Sequence, residues 1–440
     1  MRALESRLAP RPFTFLPPCA PALAAGAAAL FAGCGDESPS TPVPFEDHPD
    51  GLWVDSRFAP RAAHLDPRER RALELMGAVG YADGIYEPPA ETGVVRWDRD
   101  RAEAGLNLYC SGHGAEAVLM EMDGTVRHRW SLPWQALPGA PAPKERYEGA
   151  WRRVHLLEDG SLLAIYESLA IARVDLQSNL VWHVVAEVHH DLDVTADGHV
   201  LVLEREERDE PRLCLTAPIM DDLVAELGPG GERLARTSLV RALWNSPFSS
   251  LLFEAAARGG DVLHANTLVL LRPGDPVPHP AFQPGRVLVA LREIDAIAVV
   301  DLENERVEWL QRGPWIAPHD PSLLPDGRLL VFDNMGHDGF SRLVAWDVEA
   351  ERIEWQYAPD PPESFFSIFS GAVQALPGGN LLAVESYRGR AFELAPNGEV
   401  VWEFISPHRA GEEGELLAVL FDCRRVAPGP PFLTGLDGPR

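Results

Sequence analysis

Apolar residues in this chain fall into short runs of four or five, separated by Asp-Gly, Gly-Gly and Asn-Gly pairs. Runs of that length between hairpin dipeptides predict β-strands joined by tight turns. The runs also recur as a set. One copy begins at Val154, turns at Asp159-Gly160, continues through Ala172 and ends at Leu180-Val-Trp182. A second runs from Leu323 through the turn at Gly327 to Ile353-Glu-Trp355, and a third from Ala375 through Gly379 to Val400-Val-Trp402. Weaker copies span 116–130, 196–231 and 287–309. Trp309, Trp355 and Trp402 are spaced 46 and 47 residues apart. Strand, turn, strand, strand, turn, strand with a period of about 40–50 residues is the pattern of a four-stranded propeller blade. The expectation is an all-β fold: a six-bladed β-propeller over residues 101–425, with a short helical segment before it. Closure into a ring removes long open sheet edges. The blade-end tryptophans read as packing between blades.

Aligning the blades on their turn glycines exposes one register. Eight residues before the glycine stand His190 (before Gly198), His319 (before Gly327) and Gly371 (before Gly379). His264 opens a further blade, whose turn is obscured by an insertion from Pro273 to Pro284. The innermost strands of a propeller line its channel, so equivalent positions converge on the axis. Arg292 interrupts an otherwise apolar strand of the blade that His264 opens, and Asn266 follows close behind that histidine. A lone histidine at a strand start is usually bonded to a nearby carbonyl, the reading given to His48, His64, His279 and His408. Three in equivalent places, with Arg292 and Asn266, form a candidate site. Three imidazoles also suit zinc or non-haem iron. No Glu-x-x-His or Cys-x-x-Cys spacing accompanies them, and an adjacent arginine repels a cation, so no metal is expected.

Charge narrows the partners. The 440 residues carry a formal charge of -27 and a single lysine, Lys144. Such a field repels nucleic acid and anionic lipid, and neither is expected as a partner. An anionic substrate must be held by a local arginine or histidine site. The N-terminus reads as a targeting segment: Arg2, Arg7 and Arg11 precede a short apolar run from Ala20 to Phe31. Its end, Phe31-Ala-Gly-Cys34, resembles a lipoprotein cleavage box. We therefore expect a signal over 1–33, lipid on Cys34, a tether over 34–50 and an extension over 51–100. That extension carries one helix, capped by Asp66 and Pro67 and ended by Gly77. Residues 426–440 form a Pro/Gly-rich tail. The protein is expected in the periplasm or cell envelope, touching the membrane only through its lipid. Cys110, Cys214 and Cys423 remain after processing, and any two could pair in that compartment.

Imidazoles with an arginine and an amide suit transfer of an anionic group. No phosphate loop and no Gly-x-Ser-x-Gly elbow occurs, so nucleotide-dependent transfer and serine hydrolysis have no visible apparatus. Leu263-His264-Ala-Asn266, Ala290-Leu-Arg292, His319-Asp320, Phe332-Asp-Asn334 and Ser341-Arg342 resemble the bacterial arylsulfotransferase family. So does Leu106-Asn-Leu-Tyr-Cys-Ser-Gly-His113 leading to Asp123-Gly124. The resemblance covers about residues 90 to 405. It implies a periplasmic six-bladed propeller, without cofactor or nucleotide donor, that moves a sulfuryl group from an aryl sulfate to a phenol through a sulfohistidine. It implies His319 as the nucleophile. His264, Asn266 and Arg292 would hold the sulfate, with His264 also an acid/base. His190, or the adjacent His189, is a further channel histidine, and Asn334 and Arg342 are implied to contact substrate. Asp320 either orients the His319 ring or bonds the turn. Two other readings stand beside this one: a non-catalytic envelope propeller that scaffolds or binds a ligand, and a quinone-dependent dehydrogenase suggested by the periodic tryptophans.

Overall fold

The computed structural model describes residues 86–144, 149–213, 218–256, 260–411, 413–429 and 432. The expected signal, Cys34, the tether, the helix after Asp66 and Cys214 lie outside the described residues. Six antiparallel sheets form the blades of a propeller. Blade 1 consists, from the axis outward, of Leu420–Val426, Leu106–Ser111, Glu116–Met120 and Val126–Ser131. Blade 2 comprises Trp151–Leu156, Leu162–Tyr166, Ala170–Val174 and Leu180–Val185. Blade 3 comprises Val188–Val194, Val200–Arg208, Ile219–Leu227 and Arg233–Ser238; blade 4 comprises Ala265–Leu270, Val287–Leu291, Ala296–Asp301 and Arg306–Arg312. Blade 5 comprises His319–Leu323, Leu329–His337, Phe340–Asp347 and Arg352–Tyr357. Blade 6 comprises Ala372–Ala375, Leu381–Glu385, Arg390–Leu394 and Val400–Ile405, and Gly93–Trp97 adds a fifth, outermost strand.

Two features refine the expected boundaries. The innermost strand of blade 1 comes from the C-terminal end of the propeller while its other three come from the N-terminal end, so pairing of Leu106–Ser111 with Leu420–Val426 closes the ring. Gly93–Trp97, in the region read as an extension, pairs with Val400–Ile405. Neither strand belongs to a complete sequence repeat, and so the period did not reveal them.

Each blade alternates tight turns on one face with longer connections on the other. The turns that follow the inner strands use Gly160, Gly198, Gly327 and Gly379, all with φ between +82° and +97°, a region that costs glycine little and other residues more. The opposite face carries the blade-to-blade connections, including the helices Leu239–Trp244 and Ser249–Ala256. Side chains between neighbouring sheets make the core. Leu330, Phe332 and Leu343 of blade 5, for example, pack against Val373, Ala383 and Phe392 of blade 6. The blade-end tryptophans are part of this packing. Trp130 donates its ring N–H to the Gly160 carbonyl, Trp182 to that of Pro229 and Trp402 to that of Met122, each in the next blade round the ring.

Inner strands have one edge paired within the blade and the other turned to the axis. Backbone donors on that free edge must find partners. Side chains of the preceding blade supply them. Asp191 and Asp193 of blade 3 accept from the backbone N–H groups of Leu268 and Leu270 in blade 4. Asp320 of blade 5 accepts from that of Val373 in blade 6, and Gln374 of blade 6 from that of Arg425 in blade 1. Arg153 of blade 2 closes the circle on Asp422 of blade 1 at 2.8 Å. Cys110 and Cys423 are buried free thiols, and burial pushes the Cys423 thiol up to about 12.

Asp193→Ala tests these contacts away from the candidate site. It removes the acceptor of the Leu270 N–H and the partner of Arg272, and should lower unfolding free energy by about 1–3 kcal/mol. Urea denaturation reads this; an unchanged midpoint would show that the side-chain contacts do not secure the ring.

Candidate active site

Twelve residues line a cavity on the axis, and every blade contributes. They are two from each of blades 2 to 5 (Arg152-Arg153, His190-Asp191, Asn266-Thr267, His319-Asp320), with Ser370-Gly371-Ala372 at blade 6 and Phe421 from blade 1. The glycine register explains the set. Arg152, His190, His319 and Gly371 all stand eight residues before their turn glycine. The strand ladders slip at the same level, leaving extra residues at Arg152, 189–191, Asn266, 320–321 and Phe421. Such β-bulges bend a strand and re-aim a side chain. At Gly371 a side chain is excluded, because a Cβ there would lie 2.5 Å from the Phe332 ring.

The structure corrects one part of the register. His264 is not the blade 4 equivalent of His190 and His319; Asn266 holds that place. His264 precedes the strand with φ +49°, and packs edge-on against His190 with ring centroids 4.9 Å apart. The three histidines and Asn266 do meet, but by two different routes.

His319 is held from behind. Its Nδ1 lies 3.0 Å from the Ala317 carbonyl oxygen and 2.8 Å from Asn334 Oδ1. The Asn334 amide nitrogen is committed to the carbonyls of Ser367 and Ser370, so its oxygen must face the imidazole. Two acceptors at Nδ1 place the ring proton there and leave a lone pair on Nε2. That Nε2 is buried and has no hydrogen-bond partner among the described residues. Burial, reinforced by the charges of Arg292 and Arg152, pushes the His319 imidazole down to about 3, against the pull of the Ala317 carbonyl.

His190 is the histidine of the pair that lines the cavity. Its Nδ1 contacts His189 Nδ1 at 3.0 Å, its backbone N–H donates to Glu167, and its Nε2 is also buried without a partner. Burial and then Arg152 hold it far below the ordinary histidine value. His189 turns into the blade, with Nε2 3.3 Å from Asp222. His264 bonds Asp261 through Nδ1 and meets an Arg292 guanidinium nitrogen at 3.4 Å through Nε2. Burial would raise Asp261, but His264 and Arg292 more than offset it and hold the carboxyl below its usual range. Arg292 is fixed by Glu293 at 2.6 Å. Asn266 donates to the Pro318 carbonyl and accepts from Thr267.

Of the expected site residues, His189, His264, Arg292, Asn334 and Arg342 are not among those that line the cavity. Asn334 positions His319, while Arg342 bonds Asp333 and the Pro314 carbonyl; Asp333 in turn accepts from the Ile316 N–H. Together these bonds fasten the loop leading into His319. Asp320 does not orient the imidazole: its carboxylate takes the Val373 N–H and Arg424. Sequence reasoning missed Arg152 and Asp261. Counting back eight residues from Gly160 would have found Arg152; Asp261 carries no such mark, because its pairing with His264 depends on a local turn.

The cavity has a volume of about 20 Å³. This is a slot that suits a small group. Elsewhere, His113, Glu116 and His408 bring metal-type donors within 4.8 Å of one another. The two imidazoles stack in parallel at 3.6 Å, so their lone pairs do not converge. Glu116 is already bound by Arg129 at 2.6 Å and His408 by the Tyr109 hydroxyl at 3.1 Å. The trio is a satisfied hydrogen-bonded chain.

A histidine kept neutral by burial ties stability to pH. The unfolded chain protonates His319 below its ordinary value of 6.5, whereas the folded protein does not until about 3. The stability contribution is therefore complete above 6.5 and is lost as pH falls towards 3. Asp191 and Asp221, raised to about 6 by burial, act in the opposite sense, so the effect is read as a difference. From about pH 7 to about pH 5, the native protein should lose about 2 kcal/mol more than His319→Gln. Parallel urea-denaturation curves for the two proteins would contradict the depressed value.

The arylsulfotransferase (ASST) family model matches residues 153–407, more than half of the chain. No curated protein sequence matches it. Among solved structures, a protein of unknown function from Bacteroides caccae is similar at 15% identity and TM-score 0.47, covering 72% of this chain and 97% of that one. Virginiamycin B lyase from Staphylococcus aureus is similar at 13% and 0.35, covering 58% and 69%. BamB from Moraxella catarrhalis is similar at 11% and 0.35, covering 72% and 89%. The propeller assignment stands on the six sheets themselves. The stretch that the family model matches contains His190, His264, Asn266, Arg292 and His319, and the chain belongs to the arylsulfotransferase family.

Proposed function

We propose that the protein transfers a sulfuryl group from an aryl sulfate to a phenol, with His319 as the covalent carrier. The observation that carries this reading is the buried Nε2 of His319, unprotonated and without a protein partner, while Nδ1–H is fixed from behind. A buried polar atom left unpaired costs about 1–3 kcal/mol, which a reacting group in the slot would offset.

In the first half-reaction the Nε2 lone pair forms a bond to sulfur. The bond from sulfur to the aryl oxygen breaks, its electron pair leaves with the phenolate, and His264 gives that oxygen a proton. In the second half, His264 takes the proton of the incoming phenol as its oxygen bonds sulfur. The bond from nitrogen to sulfur breaks, and its pair returns to Nε2. Asp261 holds the His264 ring throughout. Sulfuryl transfer, like phosphoryl transfer, passes through a loose transition state, so positioning and charge stabilisation supply most of the catalysis. Arg292 gives the positive charge that the acidic chain as a whole lacks. The narrow slot admits the sulfuryl end and leaves the aryl ring at its mouth.

Exposure to a chromogenic aryl sulfate without acceptor should add one sulfuryl mass to the intact protein, on His319. His319→Ala should show neither the adduct nor chromophore release with excess phenol; normal turnover in that variant would overturn the assignment. Asn334→Ala, which frees the imidazole, should lower kcat by about 100-fold with little change in KM. The N-terminal segment supports a further proposal, export and lipidation at Cys34. Fatty-acid labelling in a bacterial host should vanish in Cys34→Ala, and persistent labelling would refute it.

A further inference from the structure

The channel holds several guanidinium groups, and they are not equally neutralised. Arg153 lies 2.8 Å from Asp191 and 2.8 Å from Asp422. Arg424 lies 2.8 Å from Asp320 and 2.9 Å from Asp422. Arg292 has Glu293 at 2.6 Å. Arg152 differs. It lines the cavity and is buried. Among the described residues, the carboxylate within ion-pair reach of its guanidinium is Glu167, at 3.9 Å. Glu167 already accepts the His190 N–H. The guanidinium lies over the ring of Phe421, 4.6 Å from its centroid. That contact favours a cation but does not compensate a buried charge as a close carboxylate does.

Its place in the fold is equally specific. Arg152 is the extra residue in the inner-strand bulge of blade 2, at the register that presents His190 and His319 to the axis. Around it are two buried imidazole nitrogens with no protein partner, on His190 and His319. A neutral imidazole cannot neutralise a cation. An anion seated among these groups can.

We propose that Arg152 is a second anion-binding residue of the channel, which grips an oxygen of the sulfuryl group from blade 2 while Arg292 acts from blade 4. Phe421 is the platform that holds its guanidinium flat. The identity of the anion rests on the sulfuryl-transfer reading; the binding of an oxyanion by Arg152 does not. Two guanidinium groups on one sulfuryl group spread its charge over separate oxygens and leave sulfur open to Nε2.

The test uses inorganic sulfate as the probe, measured by isothermal titration calorimetry at low ionic strength. The protein as it exists is compared with Arg152→Met and Arg152→Lys. Thermal unfolding of each variant confirms that it is folded. Sulfate should bind the native protein. Affinity should fall at least tenfold in Arg152→Met and recover in part in Arg152→Lys. In turnover with an aryl sulfate, Arg152→Met should raise KM for the donor by a similar factor and Arg152→Lys restore part of it, a pattern that a merely structural role does not produce. Undiminished sulfate affinity in folded Arg152→Met, or no binding of sulfate by the native protein, overturns the proposal. If sulfate binding depends on Arg152 but no sulfuryl transfer occurs, the assigned reaction fails and the anion site stands.

Discussion

Six inner strands share one problem: each turns an edge with unpaired backbone groups toward the axis. The neighbouring blade answers with side chains, mostly aspartates, that reach across to those N–H groups. Asp191, Asp193 and Asp320 do this directly. A carboxylate buried in that position needs a counter-charge, and Arg153, Arg272 and Arg424 supply it. The channel of this propeller is therefore charged for structural reasons before any chemistry takes place. Breaking one partner of such a network leaves an uncompensated charge, which costs more than the pair contributes.

The same inner strands build the candidate site, and Asp191, Asp320 and Arg153 belong to its lining. Strand bulges in blades 1 to 5 turn side chains toward the axis, and with Ser370, Gly371 and Ala372 at blade 6 they line one slot. Burial then decides protonation. Burial, with guanidinium charge nearby, holds the His190 and His319 imidazoles below their ordinary value. Asn334 and the Ala317 carbonyl decide which nitrogen of His319 keeps its proton. The proton on His319 Nδ1 is thus set by the groups around it, and Arg342, which does not line the slot, takes part by fastening the backbone through Asp333.

Much of this was legible in the sequence because a propeller repeats. Asp-Gly turns and blade-end tryptophans recur at a fixed period, and periodicity survives where individual residues vary. The strands that escaped notice, Gly93–Trp97 and Leu420–Val426, are those that complete a blade from a distant part of the chain. The register also pointed to His190 and His319, and applied to Gly160 it points to Arg152. It misplaced His264, since the long insertion in blade 4 hides the turn and the histidine stands before the bulge. Asn334, Arg342 and Asp320 were visible as motif residues, but whether a side chain faces substrate or supports its neighbour depends on rotamers and loop packing. Asp261 reaches His264 through a three-residue turn that carries no periodic mark.

The reaction proposed for His319 requires a neutral imidazole with its proton on Nδ1 and its Nε2 lone pair free. Nitrogen-15 NMR of the histidine rings measures this directly, with the His319 signals assigned by their loss in His319→Gln. At about pH 5, where an exposed histidine is charged, the account predicts one protonated nitrogen, Nδ1, and an Nε2 shift typical of a bare lone pair. A doubly protonated ring at that pH, or a proton on Nε2 at neutral pH, would contradict it.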